Sequence, residues 1–273
     1  MPELPEVENV KNTLNKFLPG KKITDVKIHW ENIIKHPGTD EFILKLKGQS
    51  FQNVYRRGKF LIFHLDEDVL VSHLRMEGKY GLSQRDEPAD KHTHVIFQFS
   101  DGTELRYRDV RKFGTMHLYP KGTEETNAPL KTLGIEPLSD SLTAALMKKL
   151  FANRKRNIKS VLLDQTLIAG LGNIYVDEVL FQAGIHPETP ANKLTQHRLK
   201  KLKTAITEIL SESVKHGGSS IRSYTNAVGE TGGFQLKLFV YGRKSEECRV
   251  CGTEIERLVV AGRGTHICKT CQK

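Results

Sequence analysis

The spacing of apolar residues changes character along the chain. Val7, Val10, Leu14 and Phe17 recur at helical spacing and predict a helix directly after the N-terminus, with Pro5 suited to its first turn. From residue 20 to about 120 the apolar runs are short, β-branched or aromatic, and bounded by turn residues. Ile23 to Ile28, Phe60 to Leu65, Val69 to Val71 and Val95 to Phe99 therefore predict strands. Ser100-Asp-Gly-Thr103 is a hairpin signal leading into a strand over Glu104 to Arg108. One helix followed by several strands predicts a β-sandwich with the helix packed on it.

Residues 120–140 break the pattern with Pro120, Gly122, Pro129, Gly134 and Pro137, and read as a linker. Helical periodicity follows. Ser139 or Asp140 is suited to cap a helix running through Leu150, with Leu142, Leu146 and Leu150 on one side. An apolar run covers Ile158 to Ile168. The glycine turn around Gly170 and Gly172 leads into a helix ending near Ala183, and a further helix spans about Thr195 to Lys215. The tract 217–233, with many glycines and with Arg222 and Tyr224, fits either a loop covering a ligand or a plain connection. Ile255 to Val260 and Thr265 to Ile267 read as hairpin strands with Ala261 to Gly264 as the tip. The expected class is α+β and multidomain, divided at 1–130, 131–235 and 236–273.

Composition narrows the partners. The 273 residues suffice for about two domains. The net charge of +10 and pI near 9.3 favour a polyanion, either nucleic acid or an acidic membrane surface. No apolar run approaches the ~20 residues that span a bilayer, and the N-terminus lacks a signal-peptide pattern, so a cytoplasmic protein is expected. Basic residues crowd at Arg56 to Lys59, Lys91 to His94, Arg106 to Lys112 and Arg154 to Lys159; the run His197 to Lys203 reads as a solvated face.

Cys248-x2-Cys251 and Cys268-x2-Cys271 have zinc-ribbon spacing. Four thiolates make a closed tetrahedral site, so one structural Zn²⁺ is expected, with no open position for chemistry. Free thiols or two disulfides are the poorer reading in a cytosolic chain.

Three further stretches bear chemistry. Removal of Met1 would leave Pro2 as a secondary amine, able to attack an electrophilic carbon and pass to an iminium. The positive end of the following helix would lower the amine's pKa, with Glu3 as a nearby proton donor and Glu6 in the first turn. On those residues alone an ordinary helix start is the better reading, and a retained Met1 would cap the amine. The turn before Asn173 is either a helix corner or a phosphate site at a helix N-terminus. Arg263 between glycines is either a cation brought close to a phosphate or a solvated tip. His73, His92 and His94 read as hydrogen-bonding residues rather than metal ligands.

Taken together, Pro2-Glu-Leu-Pro-Glu-Val7, Arg56-Arg-Gly-Lys59, Ser72-His-Leu-Arg-Met76, Asp109-Val-Arg-Lys-Phe113, Gly170-Leu-Gly-Asn-Ile-Tyr175, Tyr241-Gly-Arg243 and Gly262-Arg-Gly-Thr-His266 resemble the formamidopyrimidine-DNA glycosylase family end to end. The resemblance turns the N-terminus from a helix start into an active site. It implies a β-sandwich, a helical domain with a helix–two-turns–helix motif, a zinc-ribbon hairpin, and duplex DNA carrying an oxidised purine or an abasic site as partner. It implies Pro2 as nucleophile, Glu3 as acid/base and Glu6 in support. Lys59 is implied in β-elimination and Arg263 in δ-elimination. Met76, Arg111 and Phe113 would fill the gap left by an extruded base. His73, His92, Arg154, Lys155, Asn173 and Tyr241 would contact DNA, and the 217–233 tract would close over the lesion. Arg154 stands where relatives often have Lys, and Ile267 replaces a frequent aromatic. A monomer that spans no membrane is expected. An endonuclease VIII-like enzyme for oxidised pyrimidines, a non-catalytic damage-binding protein with Met1 retained, and a zinc-ribbon RNA-binding module are the alternatives.

Overall fold

The computed structural model describes residues 1–219, 229 and 232–273. The chain forms two compact units, Met1–Thr132 with Gly217–Gly232, and Leu133–His216 with Gly233–Lys273.

The first unit opens with α1 (Leu4–Leu14), capped by Glu3. Leu4, Val7, Val10 and Leu14 are buried, as their spacing requires. Phe17 differs from the expectation: the helix has ended before it, its ring is 42% exposed, and Leu18 takes the buried place. Then come β1 (Ile23–Ile28), β2 (Ile34–His36), α2 (Thr39–Leu46), β3 (Asn53–Arg57), β4 (Phe60–His64), β5 (Asp68–His73), β6 (Lys79–Gln84), β7 (Thr93–Phe99), β8 (Thr103–Arg108) and β9 (Thr115–Pro120). They make a four-stranded sheet in the order β1-β7-β8-β6 and a five-stranded sheet in the order β2-β9-β5-β4-β3. Side chains from both sheets, α1 and α2 share one core.

β5 and β7 are buried along their whole length, and β4 along all but its last residue, which is why each contains a short continuous apolar stretch; the ends of β5 and β7 bury polar residues instead. Phe51 lies outside the strands and meets Phe63 of one sheet and Phe97 and Phe99 of the other edge-on, at 5.7–6.0 Å between centroids. The sequence reading missed β2, β3, β6, β9 and α2. β3 (NVYRR) and β6 (KYGLSQ) each bury a single residue, so their polar composition masks the strand.

The second unit holds α3 (Ala144–Phe151), α4 (Ile158–Leu162), α5 (Asn173–Gln182), α6 (Gln196–Lys215), β10 (Glu256–Val260) and β11 (Arg263–Ile267). α3 starts later than Ser139 or Asp140: the Thr143 hydroxyl accepts from Leu146 N–H and sets the cap. Its buried residues are then Met147 and Phe151, while Leu142 is buried ahead of the helix. The apolar run from Ile158 makes only five helical residues before Asp164 turns the chain. α6 covers the expected span, and Thr195 is its cap rather than its first helical residue.

The ribbon hairpin corrects one position. Ala261 and Gly262 form the two-residue loop, at φ +51° and +73°, and Val260 pairs with Arg263. Arg263 is therefore the exposed first residue of β11 and not part of the tip.

Candidate active site and metal centre

Pro2 is buried just ahead of the cap of α1, at the positive end of the helix. Glu3 and Glu6 form a reciprocal capping box, in which the Glu3 amide donates to Glu6 Oε2 at 2.8 Å. Both carboxylates are only 2% exposed. Glu6 Oε1 accepts the Ser219 amide at 2.7 Å, and Asn9 Nδ2 donates to the Gly217 carbonyl at 3.0 Å. Glu6 thus ties α1 to the start of the tract that the resemblance assigns to lesion closure. Gly218 sits at φ +80°, and a Cβ there would lie 2.7 Å from Glu6 Oε1, so contact and conformation both demand glycine. Arg222 and Tyr224 lie outside the described residues.

Gly58, at φ +56°, and Lys59 form the loop between β3 and β4, with Lys59 buried to 5%. Phe60 pairs with His73 across β4 and β5, and their rings meet at 4.4 Å and 90°. Burial pushes the His73 imidazole down to a pKa of about 3, with the Arg75 and Lys59 charges adding to the effect. His73 is therefore neutral near pH 7. Its Nδ1 accepts the Arg75 amide at 2.8 Å, which places the ring proton on Nε2 as a donor. His92 is half-buried and its carbonyl accepts the Asp109 amide at 3.0 Å; the buried His94 ring hydrogen-bonds to the Asp109 carbonyl at 2.8 Å.

Asp109, 1% exposed, organises the next turn. Its carboxylate accepts the amides of Arg111 at 3.0 Å, Phe113 at 2.9 Å and Gly114 at 2.9 Å. The turn projects Arg111 and Phe113 outward, with the guanidinium 4.7 Å from the Phe113 ring centre. Phe113 is 51% exposed and Met76 38%, and with Arg111 they line one groove of about 640 Å³ that Met1 also borders. Large apolar side chains left in water beside a guanidinium suit insertion into a stack of bases. Below them the Tyr107 hydroxyl requires glycine at two places, since a Cβ on Gly114 or Gly78 would lie 1.8 or 2.2 Å from it.

Several of the clustered cations serve the fold. Arg56 pairs with Glu8 at 2.7 Å and Arg106 with Glu104 at 2.9 Å, while Arg106 also donates to the carbonyls of Gln84, Glu87 and Pro88.

In the second unit, Asn173 is the first residue of α5, and its Nδ2 donates to the Gly264 carbonyl at 2.9 Å. The glycine turn is thereby brought against the strand that begins with Arg263. Lys159, which the sequence shows only as part of a charge run, is fully buried on Asp177 at 2.6 Å and also donates to Thr265 Oγ1 at 2.8 Å. Asp177 Oδ2 accepts the His266 amide at 2.9 Å. The neighbouring Glu178 accepts the amides of Phe239, Val240 and Tyr241 at 2.8–2.9 Å, which fixes the chain at Tyr241. Burial raises the Glu178 pKa, against those three donors. Arg154 is half-buried with Nε on the Leu150 carbonyl at 3.0 Å, and Lys155 is exposed.

The four cysteine sulfurs lie within 4.8 Å of one another, with Cys251–Cys268 at 3.4 Å and Cys248–Cys271 at 4.0 Å. A tetrahedron with Zn–S bonds of ~2.3 Å has sulfurs about 3.8 Å apart, so the set fits zinc. Burial, then the neighbouring thiols, pushes the Cys268 and Cys271 thiols up, a crowding that a divalent cation relieves. The chain therefore carries one structural Zn²⁺. Among the described residues no other cluster of His, Cys, Asp or Glu could hold a metal, and no helix is long and apolar enough to cross a membrane.

Asp109, Asp177 and Glu178 carry no role in the sequence reading. The last two had a signal: adjacent acids on an otherwise apolar helix ask for buried partners.

Comparison with known proteins matches residues 1–116 to the formamidopyrimidine-DNA glycosylase N-terminal domain and 133–225 to the helix–two-turns–helix domain of that enzyme. Residues 245–273 match a zinc finger found in that enzyme and in IleRS. The formamidopyrimidine-DNA glycosylase of Bacillus licheniformis is 59% identical over 274 residues, covering all of both chains. A complex of wild-type Lactococcus lactis Fpg (MutM) with DNA containing N7-benzyl-Fapy-dG has a TM-score of 0.94 at 44% identity over all of both chains. The Lactococcus lactis Fpg complex with DNA containing an abasic site has the same score and identity over 99% of each.

Proposed function

The chain belongs to the formamidopyrimidine-DNA glycosylase family, and from that premise we propose that it excises oxidised purines from duplex DNA and then cleaves the strand as an abasic-site lyase in base excision repair. The observation that carries the mechanism is the placement of Pro2 and Glu3 at the positive end of α1, with Glu6 bracing the turn.

With Met1 removed, the Pro2 nitrogen attacks C1′ of the damaged nucleotide, forming an N–C bond as the base leaves. Glu3 moves a proton to and from the sugar ring oxygen, which opens the ring to an iminium. The iminium acidifies C2′, and loss of that proton expels the 3′ phosphate; a second elimination expels the 5′ phosphate. Lys59 serves the first elimination and Arg263 the second. Met76, Arg111 and Phe113 hold the vacated stack, with Arg111 on the orphaned cytosine. His73, through its Nε2 proton, and His92, Arg154, Lys155, Asn173 and Tyr241 hold the backbone. In functional terms the chain divides into a catalytic segment (1–130), a helical DNA-binding segment (131–235) and the zinc finger (236–273), and it works as a monomer in the cytoplasm.

The Met76, Arg111 and Phe113 set favours oxidised purines over the pyrimidines of an endonuclease VIII-like enzyme. The test is borohydride trapping on a duplex with one 8-oxoguanine opposite cytosine, with intact mass on the same sample. Protein lacking Met1 gives a covalent adduct at Pro2. Pro2→Gly keeps lesion binding and loses more than about a hundredfold in turnover, equivalent to ~2.7 kcal/mol of barrier. Absence of an adduct on Met1-free protein would leave a damage-binding protein without the chemistry.

A further inference from the structure

The groove beside Met76 and Phe113 has a second wall for which the proposed mechanism has no use. Trp30, the only tryptophan in the chain, stands between β1 and the short turn at Glu31–Ile33, half-buried. The Lys112 ammonium lies 4.2 Å from the centre of its ring. Lys35 and Arg75 line the same groove, and no acidic side chain does. None of Lys35, Arg75 and Lys112 has an ion-pair partner among the described residues.

The backbone shows that this arrangement is held at a cost. Arg75 and Lys112 have φ of +53° and +58°, and among the described residues they are the only non-glycine residues of the first unit in the left-handed region. Such a conformation costs on the order of 1 kcal/mol or more and persists where the surroundings enforce it. Each of the two directly precedes a wedge residue, Met76 or Phe113. The Lys112 amide closes the turn on the Asp109 carbonyl at 3.3 Å. The turn thus sends Phe113 onto Arg111 and Lys112 onto Trp30.

We propose that Trp30 is a positioning residue that holds the Lys112 ammonium for a phosphate of the strand opposite the lesion. The inference rests on the reading given under Proposed function, in which Arg111 faces the orphaned base. Lys112 follows Arg111 directly and parts from Phe113, so the phosphates it can reach belong to the strand that carries that base. A lysine side chain is otherwise dispersed over many rotamers. The indole face attracts the cation and limits that dispersal, so less order has to be imposed when DNA arrives.

The experiment measures affinity of the full-length zinc protein for a duplex with a tetrahydrofuran abasic analogue opposite cytosine. The same measurement is made on a duplex whose two opposite-strand linkages flanking that cytosine are neutral methylphosphonates. Trp30→Ala is expected to weaken binding to the first duplex about fivefold, the size of a ~1 kcal/mol cation–π contact. Trp30→Phe recovers most of the loss. The double variant with Lys112→Ala binds no more weakly than Lys112→Ala alone, and the neutral linkages abolish all these differences. Wild-type affinity in Trp30→Ala, additive losses in the double variant, or losses that persist on the neutral duplex would each overturn the assignment. If Trp30→Phe unfolds or binds no better than Trp30→Ala, the ring is serving packing and the assignment is also lost. A wild-type protein with no preference for the abasic duplex over intact DNA would instead overturn the glycosylase reading itself.

Discussion

The turn that presents Arg111 and the strand that presents Arg263 both set an exposed guanidinium, yet they are held by opposite means. The first rests on a core shared by two sheets and two helices, and one buried carboxylate, Asp109, aims it by gathering three amides. The second rests on a cluster of only Phe181, Val240, Ile255 and cysteines, so its rigidity comes from four sulfurs and a buried ion pair. A large apolar core lets hydrogen bonds act as the fine adjustment. Where the core is too small, the polar contacts and the metal become the fold itself.

The largest expected effect separates the two regions outright. Zinc removal withdraws about 10–16 kcal/mol of apparent folding energy from the ribbon. Hydrogen exchange should then show residues 245–273 losing protection while the amides of β4, β5 and β7 keep theirs, and DNA binding should weaken. Loss of protection in both regions would mean that the sheets, too, depend on the metal.

Next come the two carboxylates. Asp177→Ala leaves Lys159 charged and fully buried, and should destabilise the protein by ~3–5 kcal/mol in urea unfolding, with Lys159→Met recovering most of it. Asp109→Ala gives up three amide bonds, of which water can partly replace those to the exposed Arg111 and Phe113, and should cost about 2–3 kcal/mol. Its larger consequence should be relaxed discrimination of the base opposite the lesion, measured as the ratio of excision rates opposite cytosine and adenine. Greater destabilisation by Asp109→Ala would mean that the first unit, too, depends on a buried carboxylate for its fold.

The smallest effect is on pH dependence. His73 titrates near 3 in the fold and near ~6.5 when unfolded, so the unfolded chain binds the extra proton between those values. The stability it contributes is complete above ~6.5 and lost as pH falls towards 3, at up to ~1.4 kcal/mol per pH unit. His117, lowered to about 4 by burial and then by His36, Lys35 and Arg75, acts in the same direction. Unfolding midpoints between pH 7 and 4.5 should fall, and less steeply in His73→Asn; an equal slope in the variant would assign the effect elsewhere.

What could be read in advance follows the same division. β4, β5 and β7 were legible because burial on both faces gives each a short continuous apolar stretch, Phe60 to Phe63, Val69 to Val71 and Val95 to Phe97. The cysteine pairs were legible because metal geometry dictates spacing. β3 and β6 were not, since each buries one residue, and the start of α3 turned on which of several possible caps bonded to the helix. At the site, short motifs marked the outward-projecting Met76, Arg111 and Phe113 and also the buried Glu3, Lys59 and His73. Lys159, Asp177 and Glu178 escaped notice because their partners lie far along the chain, and composition alone shows Lys159 as one more surface cation.

Asp177 and Glu178 are consecutive on α5, and each grips a different arm of the ribbon, Glu178 the chain entering it and Asp177 the returning strand. The ribbon is last in sequence but is not a portable module. Grafted elsewhere as residues 245–273 alone, it would keep its cysteines and lose these two grips along with those of Lys159 on Thr265 and Asn173 on Gly264. A transferable piece would need the ribbon, α5 from Asn173 to Phe181, and Lys159.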